Sequence, residues 1–166
     1  MTAAQFARPK WAERRPAGLL WAAGIIGLLN AAPNFYWALG GELLLETIGM
    51  WLVELRSDFP LRTGIALLTI ALTKTTASLL PLLLLGHSRH RRLWWSAAVV
   101  VCLALILYGA VGVALNLALL LFTSVADPTG RIGQAVIWYP MLLLWGLLLA
   151  LGLRAVMRST RGRDAA

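Results

Sequence analysis

The chain has 166 residues, 60% of them hydrophobic and only 13% charged, with a mean hydropathy of +0.76; soluble domains are closer to half apolar and about a quarter charged, so a soluble globular domain is excluded. The formal net charge of +8 would raise nucleic acid as a partner in a soluble chain, but the bases flank hydrophobic runs, which points to topology and anionic lipid and not to nucleic acid. The one cysteine, Cys102, lies inside an apolar run, so no disulfide within the chain and no CxxC redox pair can form.

In chain order, a basic tail over 1–17 carries Arg8, Lys10, Arg14 and Arg15. The apolar stretch after it is too long for a signal-peptide core, and "NAAPN" is a poor cleavage site. A spanning helix needs about 20 mainly apolar residues, and four windows qualify: 18–39, 63–85, 93–122 and 134–153. The expected fold is an all-α integral membrane protein, a four-transmembrane-helix bundle over 18–153 as one domain, closed by a second basic tail over 154–166.

The first span contains "NAAPNFYWALGG" from Asn30 to Gly41. Pro33 cannot donate to the carbonyl of Leu29 and its ring crowds that carbonyl, so a local helix break is expected there. The Gly pair Gly40–Gly41 then ends the helix. Between the first two spans, acids recur at Glu42, Glu46, Glu54 and Asp58 on a four-residue step. On a helix they cover about 160°, with leucines and Trp51 filling the rest, so 42–58 reads as an amphipathic helix lying in the outer interface.

Basic residues fix the expected orientation. Arg89, Arg91 and Arg92 follow the second span, and Arg154, Arg158, Arg161 and Arg163 follow the fourth. Only Arg56, Arg62 and Arg131 fall on the other side. By the positive-inside rule both termini are cytoplasmic, and Arg14, Arg15, Arg89, Arg91, Arg92, Arg154 and Arg158 are the expected contacts to anionic headgroups on that face. Trp138 and Tyr139 fall where an aromatic belt is expected. Small residues at Ala23/Gly27, Gly109/Gly112 and Ala110/Ala114 mark close helix contacts, and Pro81 and Pro140 mark kinks.

Polar residues at depth define the candidate site. Lys74 is near the middle of the second span, where a charged lysine costs roughly 2.5–3.5 kcal/mol on insertion scales. Asn30 and Asn34 share one face of the first span, and Tyr108 and Asn116 lie on the third. Lys74, Asn30, Asn34, Tyr108 and Asn116 are therefore expected to line one cleft, with Lys74 and the amides answering the Leu29 carbonyl that Pro33 frees. Three states of Lys74 fit: neutral through desolvation, solvated by water in the cleft, or reaching outward to Glu42 or Glu46. The acids Glu42, Glu46 and Glu54 form an outer acidic face. His87 and His90 sit in the basic "GHSRHRR" loop and make no metal site. No nucleophile–base pair, phosphate loop or metal motif is present, so no catalytic residue, metal or cofactor is assigned.

The ordered set "YWALGG", "ETIGMWLVEL", "LTKTTASLLPLLL", "LYGAVGVALNLALLL" and "DPTG…WYPMLLLWGLLLALG" resembles the DUF3995 family of small bacterial four-span membrane proteins over most of 19–153. The resemblance implies the four-span fold and a bacterial cytoplasmic membrane. It implies no mechanism, since the family is uncharacterised.

Function then reads first as an accessory or interaction subunit of a membrane complex, or a homo-oligomer. The second reading is a small oligomeric transporter or channel working through the Lys74 cleft. The third is a membrane enzyme acting on a lipid or quinone, with Lys74 as base and Tyr108 as acid.

Overall fold

In the computed structural model, residues 10–85, 91–124 and 126–164 are described, with side chains over 17–84, 92–124 and 126–159. Helix α1 runs Lys10–Ala38, α2 Met50–Asp58, α3 Pro60–Leu79, α4 Arg91–Phe122, α5 Pro128–Gly133 and α6 Tyr139–Asp164. Every regular element among the described residues is helical. Four stretches are long and apolar enough to cross a membrane: Ala17–Ala38, Pro60–Leu84, Arg92–Phe122 and Pro128–Ser159. The fourth is longer at both ends than the 134–153 expected, because Asp127 and Pro128 start its helix early. Asp127 accepts the N–H of Gly130 at 2.9 Å, and Pro128 at the first helical position loses no bond that it would otherwise make.

Two prolines reshape their helices and one does not. Beyond Leu79 the chain tightens into a 3-10 turn, Leu80–Leu85, around Pro81. Ahead of Pro140 it widens into a π-helical turn, Gln134–Trp138, closed by the Tyr139 N–H on the Gln134 carbonyl; both follow from a missing N–H donor. Pro33 differs. Helix α1 is continuous through it from Lys10 to Ala38, so the break expected at Pro33 is corrected to an unbroken helix. The end comes at the Gly pair. Gly40 takes φ +109, and its N–H bonds Trp37 O at 3.2 Å while that of Gly41 bonds Tyr36 O at 2.9 Å, the paired bonds of a Schellman cap.

The segment 42–58 is not the single amphipathic helix expected. A 3-10 turn, Leu45–Thr47, follows Leu44 at φ 62, and Gly49 at φ +136 separates that turn from α2. Only glycine holds such a φ without strain, so the four-residue step of acids is cut in two. Glu42, Glu46, Glu54 and Asp58 are all exposed, but they do not share a helical face. The segment folds as a cap over one end of the helices. Leu45 and Leu52 are buried with Trp37 of α1, Leu67 of α3 and Trp138 of the π turn.

Helix α1 packs along both α3 and α6, and α4 packs along α6, whereas α3 and α4 do not pack along each other. Glycines bring the backbones close. A Cβ on Gly27 would lie 2.6 Å from the Trp145 ring and one on Gly109 2.7 Å from the Leu143 backbone. Ala23 and Gly27 are thus buried contacts as expected, and so are Gly109 and Gly112. Ala110 and Ala114 are corrected: both are exposed on the far side of α4. A second apolar cluster, including Leu20, Ala98, Trp145 and Leu149, fills the uncapped end. The intramembrane polar residues fall between the two clusters.

A polar cleft beneath a hydrogen-bonded cap

Because α3 and α4 stand apart, a cleft opens between them over α1 and α6. It holds about 400 Å³ and lies directly under the cap. On α3 its wall is Thr63, Ala66, Leu67, Ile70 and Lys74, the spacing of one helical face. Asn34 and Trp37 come from α1, Tyr108 from α4, and Gln134, Trp138, Tyr139 and Leu142 from the fourth span. Among the described residues the lining is mostly apolar and contains no carboxylate, imidazole or thiol.

Lys74 is half-buried. Helical side chains lean toward the helix N-terminus, which for α3 is the capped end, so its Nζ rises into the cleft. Its hydrogen bond goes to the Asn30 carbonyl at 3.5 Å. The Asn34 Nδ2 donates to the same carbonyl at 3.1 Å. The acceptor is therefore Asn30 O and not the Leu29 carbonyl expected. Lys74 also does not reach Glu42 or Glu46, which removes the third of its three expected states. The Asn30 side chain is buried but does not line the cleft, and its Oδ1 has no partner. That leaves Lys74, Asn34 and Tyr108 together in one site, with Asn30 contributing its backbone. Tyr108 is exposed and meets Tyr139 edge-on, ring centroids 5.2 Å apart.

Asn116 is corrected. It is buried away from the cleft, donating to Gly112 O at 2.8 Å and accepting from Arg131 Nη1 at 3.1 Å. Glu42, Glu46 and Glu54 take no part in the cleft lining. Of the expected lipid-contact arginines, Arg92, Arg154 and Arg158 are exposed. Helices α4 and α6 run antiparallel, with Gly112 against Tyr139 and Gly146 against Ile106, so these three arginines gather at the uncapped end. Arg89 with His87 and His90, and the side chains of Arg14, Arg15 and Arg91, lie outside the described residues.

The residues that hold the cap carry the least signal in the sequence. Arg56 donates to Trp37 O at 3.0 Å and to Gly41 O at 2.6 Å, adding to the Gly40 N–H on Trp37 O at the carbonyl end of α1. Trp37 Nε1 donates to Leu43 O at 2.8 Å, and Trp138 Nε1 to Thr47 Oγ1 at 3.0 Å. The two indoles also meet edge-on, centroids 5.3 Å apart. Gln134 Nε2 donates to Ile48 O, and Thr63 Oγ1 to Leu55 O at 3.1 Å. Trp138, expected as an interfacial belt residue, is a buried strut of the cap. Asp127 adds a bond from the Met50 N–H at 2.7 Å. The Gly130 N–H, then that of Met50, together with the nearby Arg131, hold its carboxyl below the usual carboxylate range. The "DPTG" stretch did contain a signal for this, an Asp N-cap followed by Pro at N1.

Among the described residues no three His, Cys, Asp or Glu side chains are grouped as a metal site requires. No curated protein and no solved structure matches this chain. Residues 27–149, from the Gly27 contact through the Lys74 cleft to the core of α6, match the family described as protein of unknown function (DUF3995), and the chain belongs to that family.

Proposed function

We propose that this chain is a multi-pass protein of the bacterial cytoplasmic membrane, N-in and C-in, whose working part is a ligand-holding cleft around Lys74, and that its role is binding and not catalysis. One observation carries the reading. The Lys74 nitrogen rises into an apolar cleft, makes one long hydrogen bond to a backbone carbonyl and faces no carboxylate among the described residues of the lining. Such a group is unsatisfied until something with acceptor oxygens arrives. Cavities of about 300–1,000 Å³ with few convergent polar groups are the usual form of a small-molecule site. The orientation is supported by Arg92, Arg154 and Arg158 at the uncapped end, which leaves the cap on the outer face.

Native mass spectrometry of the protein, purified gently from its own membranes, tests the reading. The wild type is expected to retain a small-molecule adduct that Lys74→Met loses. An adduct-free wild type would remove it.

A second reading, self-association or service as an interaction subunit, is supported by one feature of α4. Ala110, Ala114 and Ala118 recur every four residues and all three are exposed. No helix among the described residues covers them, and small residues at this spacing admit a second helix closely.

A further inference from the structure

The cleft restricts the chemistry of its occupant, and this step rests on the reading of the cleft as a ligand site. Lys74 lies 14 positions past the start of α3 at Pro60, about 21 Å along the axis at 1.5 Å per residue. The hydrocarbon core is only about 30 Å thick. A ligand that engages Lys74 must therefore carry its head deep into the apolar region. A phosphodiester lipid stays charged throughout and pays full desolvation on that route. A carboxylic acid does not, because it travels as the neutral acid and passes its proton to the Lys74 nitrogen, held as the uncharged amine by desolvation, so that carboxylate and ammonium form together.

Shape agrees with charge. The cavity of about 400 Å³ takes one chain, not the two of a phospholipid. Ile70, Leu67, Ala66 and Thr63 continue from Lys74 toward the cap along a single face of α3, with Leu142 opposite. A single acyl chain laid along that stripe ends under Leu52 and Leu55 of the cap. The entrance is lateral. Ala66 and Ile70 on α3 and Tyr108 on α4 are exposed at the gap where the two helices do not pack together. That gap opens toward the side of the bundle, where lipid chains lie.

We propose that the cleft binds a single-chain, membrane-dissolved carboxylic acid, which enters sideways between α3 and α4 and pairs its carboxylate with Lys74. The complementary charge is the point. The lining offers a basic nitrogen and no acid, and the ligand supplies both the proton and the anion of a charge-assisted bond.

The test uses the full chain in phosphatidylcholine nanodiscs, with cis-parinaric acid as probe. Trp37, Trp51 and Trp138 line the cleft and will transfer excitation energy to a probe seated there. Saturable transfer is expected. Oleic acid should displace the probe, and methyl oleate should do so ~10-fold or more weakly, since it keeps the chain and loses the charge. Lys74→Met should weaken binding ~10-fold or more, and Lys74→Arg should retain it. Ala66→Phe should block the entrance with the lysine intact.

Equal competition by oleate and its methyl ester would overturn the proposal, and that comparison needs no variant to fold. Wild-type affinity in a folded Lys74→Met would overturn it as well, and so would transfer that never saturates. If parinarate fails but another small molecule is retained by the wild type and lost in Ala66→Phe, the acid falls and the ligand cleft stands. If nothing is retained and Ala66→Phe behaves as wild type, both fall.

Discussion

Asp127 accepts the backbone N–H of Met50 at 2.7 Å across a separation of 77 residues, while its other oxygen accepts Gly130 N–H at 2.9 Å. One carboxylate thus caps α2 and α5 together, and negative charge is favourable at both helix N-termini. It pins the cap to the start of the fourth span. Replacing it by alanine should cost roughly 1 kcal/mol, the usual loss for an N-cap, read as a lower melting temperature in detergent.

The same contact predicts a pH dependence. The folded state holds the Asp127 carboxyl below its ordinary value, so the folded state prefers the ionised form. The stabilisation is fully present above the unfolded carboxylate pKa of about 3.9 and is lost as pH falls through the depressed folded value. The melting-temperature difference between wild type and Asp127→Asn should be constant from neutral pH to about pH 5 and shrink below pH 4. A difference that instead shrinks between pH 6 and 7 would assign the effect to another group.

Arg56 is the counterpart at the other edge of the cap. Its guanidinium bonds the carbonyls of Trp37 and Gly41 at the C-terminal end of α1, where a cation also suits the helix dipole. Arg56→Ala should cost about 1.5–3 kcal/mol, the range for hydrogen bonds from a charged donor. Arg56→Lys should recover part of this, because both bonds leave one nitrogen, Nη1, and an ammonium also carries more than one donor, on a shorter side chain. Thermal unfolding of the three proteins measures both effects. If Arg56→Ala melts with the wild type, the contact is only a surface ornament.

These two residues show where the sequence is informative and where it is silent. The spans are legible because length and hydropathy alone decide them, and the end of α1 is legible because Gly40–Gly41 has one physical use there. Lys74 and Asn34 were legible as neighbours in one cleft because an ionisable or amide group at mid-depth is expensive and must be placed. The cap was misread for a specific reason. A four-residue step of acids is compatible with a helix, but Gly49 and Leu44 adopt positive φ values that only the folded contacts select. Asn116 was misassigned because depth places a residue along the axis and says nothing about its azimuth. Its face on α4 turns toward Arg131, not toward Lys74. Arg56 reads as a plain topology charge because its partners are backbone groups, which leave no trace in side-chain patterning, and for the same reason only the N-cap half of Asp127's role, not its bond to Met50, shows in "DPTG".

Gly27 tests the close packing of α1. A Cβ there would lie 2.6 Å from the Trp145 ring and closer still to Ser78 Oγ, and Trp145 is fully buried. Gly27→Val should destabilise by about 1–3 kcal/mol through overpacking. Gly18 is the control, since a Cβ there meets nothing within 4 Å. Gly18→Ala on the same helix should be neutral or slightly stabilising. Equal melting temperatures for Gly27→Val and Gly18→Ala would contradict the packing described.

The exposed alanine stripe on α4 separates a working monomer from an assembly. Lipid covers an apolar helix as readily as another helix does, so association requires a surface that packs better than acyl chains. Ala110, Ala114 and Ala118 provide one, and they lie on a helix that buries little of itself within the chain. Cys102 is buried, so Cys102→Ser gives a background without thiols. In that background Ala114→Cys should form an oxidised dimer in native membranes, and Leu93→Cys, exposed near the opposite end of α4, should not. If both positions crosslink alike, collision explains the product. Cross-linking confined to Ala114 would instead make the α4 face an interface, about 120° around the helix from Tyr108 at the cleft entrance, so the cleft would stay open to lipid in the assembly. Occupancy of the cleft should then leave the yield of the crosslink unchanged, and adding oleate to the oxidation reaction measures whether the two faces are independent.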